Sequence, residues 1–229
     1  MNSYKTKVLI FALIFSPITF SLGLWQIDRA KEKDAIIDQF NELQKKPHAE
    51  IQSQASFENW EPVTAFGSFT DHVLLEDNAL LNGLAGYKVY QYFKFEDNSG
   101  LFVHRGFVER EQLKNDTPEI NVPEGDFMIM GTALYKKENS FIKNIEESDK
   151  RVIQEFNIDH IYKIYPELKM HEIMPFIFNL DSNNQFKFKQ IEKPINMPSE
   201  KHIGYAIQWF GLCLALIILT IMAYIKKDE

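Results

Sequence analysis

Cysteine is almost absent from this sequence of 229 residues. The one cysteine, Cys213, lies in a long apolar segment near the C-terminus, which excludes a disulfide framework within the chain. The central region must therefore depend on its own apolar core for stability. Blocks of basic residues are also missing, and the net charge is −7. This charge balance argues against nucleic acid as a partner.

The sequence also lacks the short motifs that mark common enzymes. It contains no G-x-S-x-G, no H-E-x-x-H and no Walker loop. The histidines do not have the spacing of a zinc site, because Pro166 separates His160 from His171, and His48 and His72 fall in predicted loops. We therefore expect neither an enzyme nor a zinc site.

Two long apolar runs stand near the ends of the chain. Residues 8–25 follow a short basic start at Lys5 and Lys7, and residues 203–225 carry no charge. Each run can cross about 30 Å of hydrocarbon at roughly 1.5 Å per helical residue. The first run could instead be a signal peptide, but its length and the interfacial aromatic Trp25 favour an uncleaved span.

Two spans would place both termini on one side of the membrane. The basic flanks Lys5, Lys7, Lys226 and Lys227 favour the cytoplasm for both ends. A bacterial inner membrane with a periplasmic domain is the simplest setting. The predicted order is a cytoplasmic N-terminus, a transmembrane helix, an extracytoplasmic domain, a second transmembrane helix and a cytoplasmic C-terminus, over residues 1–7, 8–26, 27–201, 202–225 and 226–229.

Between the spans the pattern predicts one helical extension and then a sheet. Apolar spacing over residues 26–44 predicts that the first helix continues until Pro47. Single strands are predicted at residues 62–70, with a bulge at Gly67, and at 126–135. Two hairpins are predicted, one of strands 87–95 and 101–108 and one of strands 174–180 and 185–191, and a helix is predicted at 157–165. In the first hairpin, Tyr87, Val89, Phe93 and Phe95 fall on one face of the strand and Lys88 and Lys94 on the other.

The predicted fold class follows from this order of elements. Two transmembrane α-helices flank an α+β, mainly antiparallel β domain outside the cytoplasm, whose sheet curls towards a barrel or a sandwich. Both membrane helices would join the same end of that domain.

His202 stands at the junction between a charged lead-in and the second apolar run. On a continuous helix, His202, Tyr205 and Trp209 would share one face, and Gly204 and Gly211 would allow a ring or a helix to approach. Such a face could bind a flat amphipathic ligand, because histidine ligates metals. A lone interfacial histidine beside Tyr and Trp is, however, more often part of the aromatic belt.

Arg105 and Gly106 form a second candidate. An arginine in a strand beside a glycine could hold a carboxylate in a bidentate manner. The alternative is an ordinary exposed arginine next to a bulge glycine.

Four motif stretches are distributed over the whole chain. The first, L-G-L-W-Q-I-D-R-A-K-E-K, contains Trp25, Gln26 and Arg29 at the end of the first span. The others are residues 62–69 with Gly67, residues 86–89 followed by Arg105-Gly106-Phe107-Val108, and residues 198–210 with His202, Tyr205 and Trp209. In this order, with two spans, they resemble the SURF1/Shy1 family of cytochrome c oxidase assembly factors. His104 departs from that pattern, and residues 115–165 match none of its motifs.

The resemblance implies a non-enzymatic role in building the haem a-containing subunit of a terminal oxidase. It implies that His202 is the axial ligand of transiently bound haem a, with Tyr205 and Trp209 in support. Arg29 and Arg105 are candidate partners of the propionates. Expected partners are the oxidase catalytic subunit, haem a synthase and membrane lipid. The alternative is a scaffold that clasps the oxidase subunit without binding haem.

Overall fold

The computed structural model describes residues 3–51, 56–110, 117–136, 149–189 and 193–225. Within them lie the helices α1 (Ser3–Leu43), α2 (Ile158–Ile164) and α3 (Ser199–Ile225). Two compact units result, one with α1 up to Asn41 and the residues from Lys193 onwards, the other spanning Glu42–Glu192.

Helix α1 is continuous, as the apolar spacing of residues 26–44 predicted. Its first half is apolar and contains Pro17, which membrane helices tolerate. Its polar half is supported by ion pairs one turn apart, such as that between Arg29 and Glu32 at 2.6 Å. Helix α3 begins at Ser199, directly after Pro198, as predicted. Both helices are long and apolar enough to cross a membrane.

The second unit contains a sheet that closes on itself. Its strands within the described residues are β1 (Ala49–Glu50), β2 (Pro62–Leu81), β3 (Leu84–Lys94), β4 (Ser99–Glu109), β5 (Asp126–Leu134), β6 (Val152–Ile153) and β7 (Glu172–Leu180). They are ordered β1-β2-β3-β4-β7-β5, and β5 pairs back onto β2. The five longer strands therefore form a closed ring, which confirms the predicted curl towards a barrel.

The sheet is mixed, which corrects the expectation of a mainly antiparallel one. The pairs β2–β3, β3–β4, β2–β5 and β5–β7 are antiparallel. The pair β4–β7 is parallel, and the short strands β1 and β6 pair with β2 in parallel. Because β7 lies far from β4 along the chain, it can enter in either direction, and no local turn signal reports which.

One predicted hairpin is confirmed and the other is wrong. Strands β3 and β4 pair around a tight turn, with Lys94 opposite Gly100. After β7, however, no strand forms over the described residues 185–189, and Lys189 makes an isolated bridge with Phe107 of β4. Strands β4 and β5 already occupy both edges of β7, so no edge is free for a hairpin partner. The remainder of that prediction, 190–191, lies outside the described residues.

Gly67 is not a bulge residue. It lies in a regular ladder opposite Phe127, and the irregularity of β2 falls between Phe69 and Val73. A Cβ at Gly67 would lie 2.2 Å from the carbonyl oxygen of Lys94. The glycine is therefore needed for close approach of two backbones, not for a change of direction.

The inner face of the sheet is buried, and part of its outer face is covered as well, although Phe66, Met128 and Met130 on the outer face are exposed. Alternate residues of the five long strands, such as Leu101 and Val103 of β4, meet inside the ring. Phe102 points to the opposite face and packs with Tyr92 and Ile161 of α2. The face of β3 that carries Lys88 and Lys94 is therefore apolar as well, through Tyr90 and Tyr92. Helix α2 itself is confirmed, with Asn157 as its cap and a 3₁₀ helix (Pro166–Met170) after it.

Candidate functional site

The two long helices meet along a seam of mostly small residues. On α1 the buried and half-buried positions include the series Ala12, Ser16, Thr19, Gly23, Gln26 and Ala30; on α3 they include the series His202, Ala206, Trp209, Cys213, Leu216 and Thr220. In both series the spacing alternates between four and three residues. This is the period with which two helices keep one face in continuous contact, and small residues allow a close approach.

Three contacts fix how the helices are aligned. The Cys213 thiol lies 3.4 Å from the carbonyl oxygen of Ser16, and the rings of Phe20 and Phe210 are 5.4 Å apart. At the other end of the seam, His202 contacts Gln26. The helices are therefore antiparallel, with the start of α3 beside the middle of α1.

His202 is the polar centre of this seam. Its side chain is only 9% exposed, and its Nδ1 lies 2.8 Å from Oε1 of Gln26. Its Nε2 is buried and has no hydrogen-bond partner among the described residues. A buried nitrogen without a partner is costly, so this atom identifies the candidate site.

The aromatic residues of the motif do not all share the face of His202. Trp209 is half-buried and lies in the seam, whereas Tyr205 is 43% exposed. A step of three residues from His202 carries Tyr205 away from α1, while a step of seven returns Trp209 to it. The predicted common face therefore holds for His202 and Trp209 only, and Trp25 is also exposed on α1.

The glycine that permits close approach is Gly23 of α1. A Cβ there would lie 2.5 Å from the ring of Phe210. Among the described residues, no atom lies within 4 Å of a Cβ at Gly204 or Gly211, so neither glycine contacts α1, and the approach of a ring or a further helix there stays a prediction. These two glycines lie on an open face of α3.

An apolar cleft lies between the same helices, further towards the start of α1. It has a volume of about 290 Å³ and is lined by Leu9, Ala12, Leu13, Ser16, Pro17, Ile217, Thr220 and Ile221. Its walls are aliphatic apart from two hydroxyl groups. It suits an apolar chain rather than a polar ligand.

Arg105 lies in the other unit and is a structural residue of the barrel. It is the extra residue of a bulge in β4, between His104 and Gly106, and Gly106 has a φ of 114°. The Arg105 side chain is 5% exposed, so neither an exposed arginine nor a free carboxylate clamp describes it. Burial lowers its pKa to about 10, which leaves it charged at neutral pH.

Neutral groups surround the Arg105 guanidinium. It donates to the carbonyl oxygens of Phe186 and Asn121 and to Oε1 of Gln91. The ring of Phe188 lies 4.6 Å away, close enough for a cation–π contact. The charge is therefore compensated by dipoles and an aromatic ring, and these contacts hold residues 186–188 against β4.

A buried ionic cluster on the barrel was not expected from sequence. Glu76 is 8% exposed and binds the ammonium groups of Lys136 at 2.8 Å and Lys88 at 3.2 Å. Burial alone would raise the pKa of Glu76, but the two positive charges outweigh it and the pKa is lowered. Cross-strand geometry makes this cluster, and no spacing in the sequence indicates it.

Together these features define a class of protein: a closed β-barrel unit accompanied by two apolar helices that hold a buried histidine. The SURF1 family profile matches residues 13–214. The chain belongs to the SURF1 family, which is known as a family of oxidase assembly factors. It is 24% identical to a "SURF1-like protein" of Rickettsia felis, over 95% of this chain and 96% of the relative. A "SURF1-like protein" of Rickettsia conorii is also 24% identical, over 95% and 90%.

Proposed function

We propose that this chain is an assembly factor that binds haem a through His202 and aids its insertion into the catalytic subunit of a cytochrome c oxidase-type enzyme. The buried, unpartnered Nε2 of His202 carries the proposal. Leaving such an atom without a partner costs about 1–3 kcal/mol, and coordination of haem iron would remove that cost. The histidine of the family-like signature is the same residue.

The cleft between the helices suits the second part of this cargo. Haem a carries a long isoprenoid tail, which needs an apolar channel. Ser16, in the cleft wall, lies about 15 Å from Gln26 along α1 at ~1.5 Å per residue. The ring would be held near His202, and the tail would extend along the helix pair towards the cleft.

Access to the iron ligand requires a movement. Because Nε2 of His202 is buried, the imidazole must rotate or the helices must shift before iron can reach it. A site that opens to load and closes when empty suits a protein that holds its cargo transiently. Trp209, half-buried beside the site, would pack on the ring.

The propionates are assigned to Arg29. It is partly exposed and lies one helical turn from Gln26, with Glu32 as its present partner at 2.6 Å. Arg105 is not assigned to them, because its donors already serve groups inside the barrel. Haem a bound with its propionates at Arg29 and its tail at the cleft would lie along the helix pair.

The proposed location is the bacterial inner membrane, with both termini in the cytoplasm. The two helices long enough to cross a membrane support this location. The proposed partners are the oxidase catalytic subunit, haem a synthase and lipid.

A scaffold without haem is the second candidate function. It is favoured by the open face of α3, where no atom of the described residues lies within 4 Å of a Cβ at Gly204 or Gly211. Small residues on a membrane helix allow a second helix to approach closely. In this function the oxidase subunit would pack on that face, and His202 would only link α1 to α3.

Titration with haem a in detergent separates the two functions. We expect the purified protein to develop the Soret band of histidine-ligated haem and His202→Ala to lose it. His48→Ala, which changes an exposed histidine of the other unit, is the matched control. An unchanged Soret band in His202→Ala would sink the haem proposal. A wild-type protein that binds no haem but co-purifies with the oxidase subunit would establish the scaffold.

A further inference from the structure

We propose that Gln26 is a positioning residue that holds the His202 imidazole in the tautomer with its proton on Nδ1. This inference rests on the proposed haem function for its purpose, but its geometry does not. Oε1 of Gln26 lies 2.8 Å from Nδ1 of His202. A carboxamide oxygen has lone pairs and no proton, so at this distance Nδ1 must be the donor.

The tautomer decides what Nε2 can do. A neutral imidazole carries one N–H, and a proton on Nδ1 leaves a lone pair on Nε2. That lone pair is what a metal ion needs, and no hydrogen-bond donor among the described residues engages it. In the opposite tautomer two lone pairs would face each other at 2.8 Å, and a buried N–H on Nε2 would point at no acceptor.

The seam brings the two residues together and limits their freedom. Gln26 and His202 occupy corresponding positions in the two series that alternate by four and three residues. Their neighbours along the seam, Ala30 and Ala206, are each 2% exposed. Small residues on both sides let the backbones approach, so one side-chain hydrogen bond spans the gap between the helices.

The same hydrogen bond should tune the bond to iron. An acceptor on the remote N–H of a ligating histidine fixes the ring and makes the ligand more basic, and its loss typically lowers metal affinity about tenfold to a hundredfold. Gln26 would thus orient His202 and strengthen its donation to ferric iron. A residue that merely filled space would do neither.

Rotation of the Gln26 amide by half a turn is the competing arrangement. It would present an N–H to Nδ1 and place the imidazole proton on Nε2, where iron could not bind. Glutamate cannot present an N–H, so Gln26→Glu enforces an acceptor at this position. Gln26→Leu removes the acceptor and keeps a similar volume.

The first experiment needs no haem. Nitrogen-15 NMR of the full chain in detergent, at a pH where imidazole is neutral, reports the tautomer of His202, assigned by comparison with His202→Ala. We expect the wild type and Gln26→Glu to show a single species protonated on Nδ1, and Gln26→Leu to show a mixture. A wild-type signal from the species protonated on Nε2 would overturn the inference whatever the protein binds.

The second experiment measures haem a affinity and midpoint potential. We expect Gln26→Leu to weaken binding about tenfold to a hundredfold and to raise the potential, and Gln26→Glu to bind and to lower it. A purely structural role would shift the potential the same way in both variants, and that result would refute the inference. Gln208→Leu, an exposed glutamine of α3, is the matched control and should leave both quantities unchanged.

The two experiments distinguish failure of the haem proposal from failure of the role inferred for Gln26. If the wild type shows the Nδ1 tautomer but binds no haem, the haem proposal fails and the positioning of His202 stands. If it binds haem through His202 but shows the Nε2 tautomer, or if Gln26→Leu behaves as wild type in both measurements, the role of Gln26 fails and the haem proposal stands.

Discussion

Gly23 offers the sharpest test of how the two long helices pack. A Cβ at this position would lie 2.5 Å from Cε1 and 2.7 Å from Cζ of Phe210, whereas carbon atoms in contact normally lie about 3.5–4.0 Å apart. Gly23→Leu therefore forces either Phe210 or a whole helix to move. We predict that this variant weakens the association of α1 with α3.

The magnitude follows from the contacts of Phe210. Added atoms in a packed interface typically cost about 1–3 kcal/mol. Phe210 already packs on Phe20, with ring centroids 5.4 Å apart, which restricts its movement in that direction. We therefore expect a cost of about 2 kcal/mol, which corresponds to about a thirtyfold rise in the population of separated helices.

The single cysteine of the chain provides the assay. Cys213 is 8% exposed and lies in the seam, with its thiol beside the carbonyl oxygen of Ser16. Its rate of reaction with a neutral thiol reagent in detergent should rise about thirtyfold in Gly23→Leu, by the same conversion. Gly211→Leu is the matched control, because a Cβ there meets no atom within 4 Å in the part of the chain that the structure describes. Equal rates in the two variants would refute the packing described for Gly23.

Three further predictions concern the barrel, measured by chemical denaturation and the far-ultraviolet circular dichroism of the sheet. Arg105→Met should destabilise the barrel by about 2–4 kcal/mol, because buried acceptors lose their donor; a loss below about 0.5 kcal/mol would contradict the contacts described. Glu76→Gln should cost about 3 kcal/mol, since it breaks a buried ion pair, and wild-type stability would show that the pair contributes nothing. Hydrogen bonds from Arg151 lower the pKa of Asp149 from 3.8 to about 2, so the Asp149 carboxylate stabilises the fold fully above pH 3.8 and loses this effect as the pH falls through about 2. Asp149→Asn should therefore lower the free energy of unfolding by about 1 kcal/mol at neutral pH, given the partial exposure of Asp149, and should flatten the dependence of that free energy on acid pH. An unchanged acid slope in that variant would contradict the pairing.

The elements that the sequence predicted well have local signals. Pro198 and Ser199 mark the start of α3, and Asn157 marks the start of α2 with a side-chain hydrogen bond that the structure contains. The hairpin of β3 and β4 has its turn residues directly between two apolar runs. In each case the signal lies within a few residues of the feature, which is the range over which chain stiffness and capping act.

The features that the sequence did not predict depend on pairing between distant segments. The parallel pairing of β7 with β4 and the burial of Arg105 in a bulge arise only when the ring closes. One miss had an available signal: Asn82-Gly83, with φ values of 52° and 82°, is the typical two-residue turn of a hairpin and extends β2 to Leu81.

The candidate site was predicted in part. His202 was identified, but its contact with Gln26 was not, because the two residues are far apart along the chain. Mostly small residues recur at spacings of four and three along both helices, and this pattern in the sequence indicates which faces of α1 and α3 meet, but it does not by itself place Gln26 opposite His202. The buried cluster around Glu76 had no such signal, since its charges come from three separate segments.

The position of β7 in the ring has a consequence for biosynthesis. Ser99 of β4 pairs with Glu172 of β7, so the ring cannot close until most of the chain has left the ribosome. Until then β4 and β5 each expose a strand edge, which invites aggregation. Since β7 ends at Leu180, shortly before α3 starts at Ser199, the sheet stays open for most of the synthesis of the chain. A chain truncated before Glu172 would form an open, aggregation-prone sheet instead of a smaller barrel.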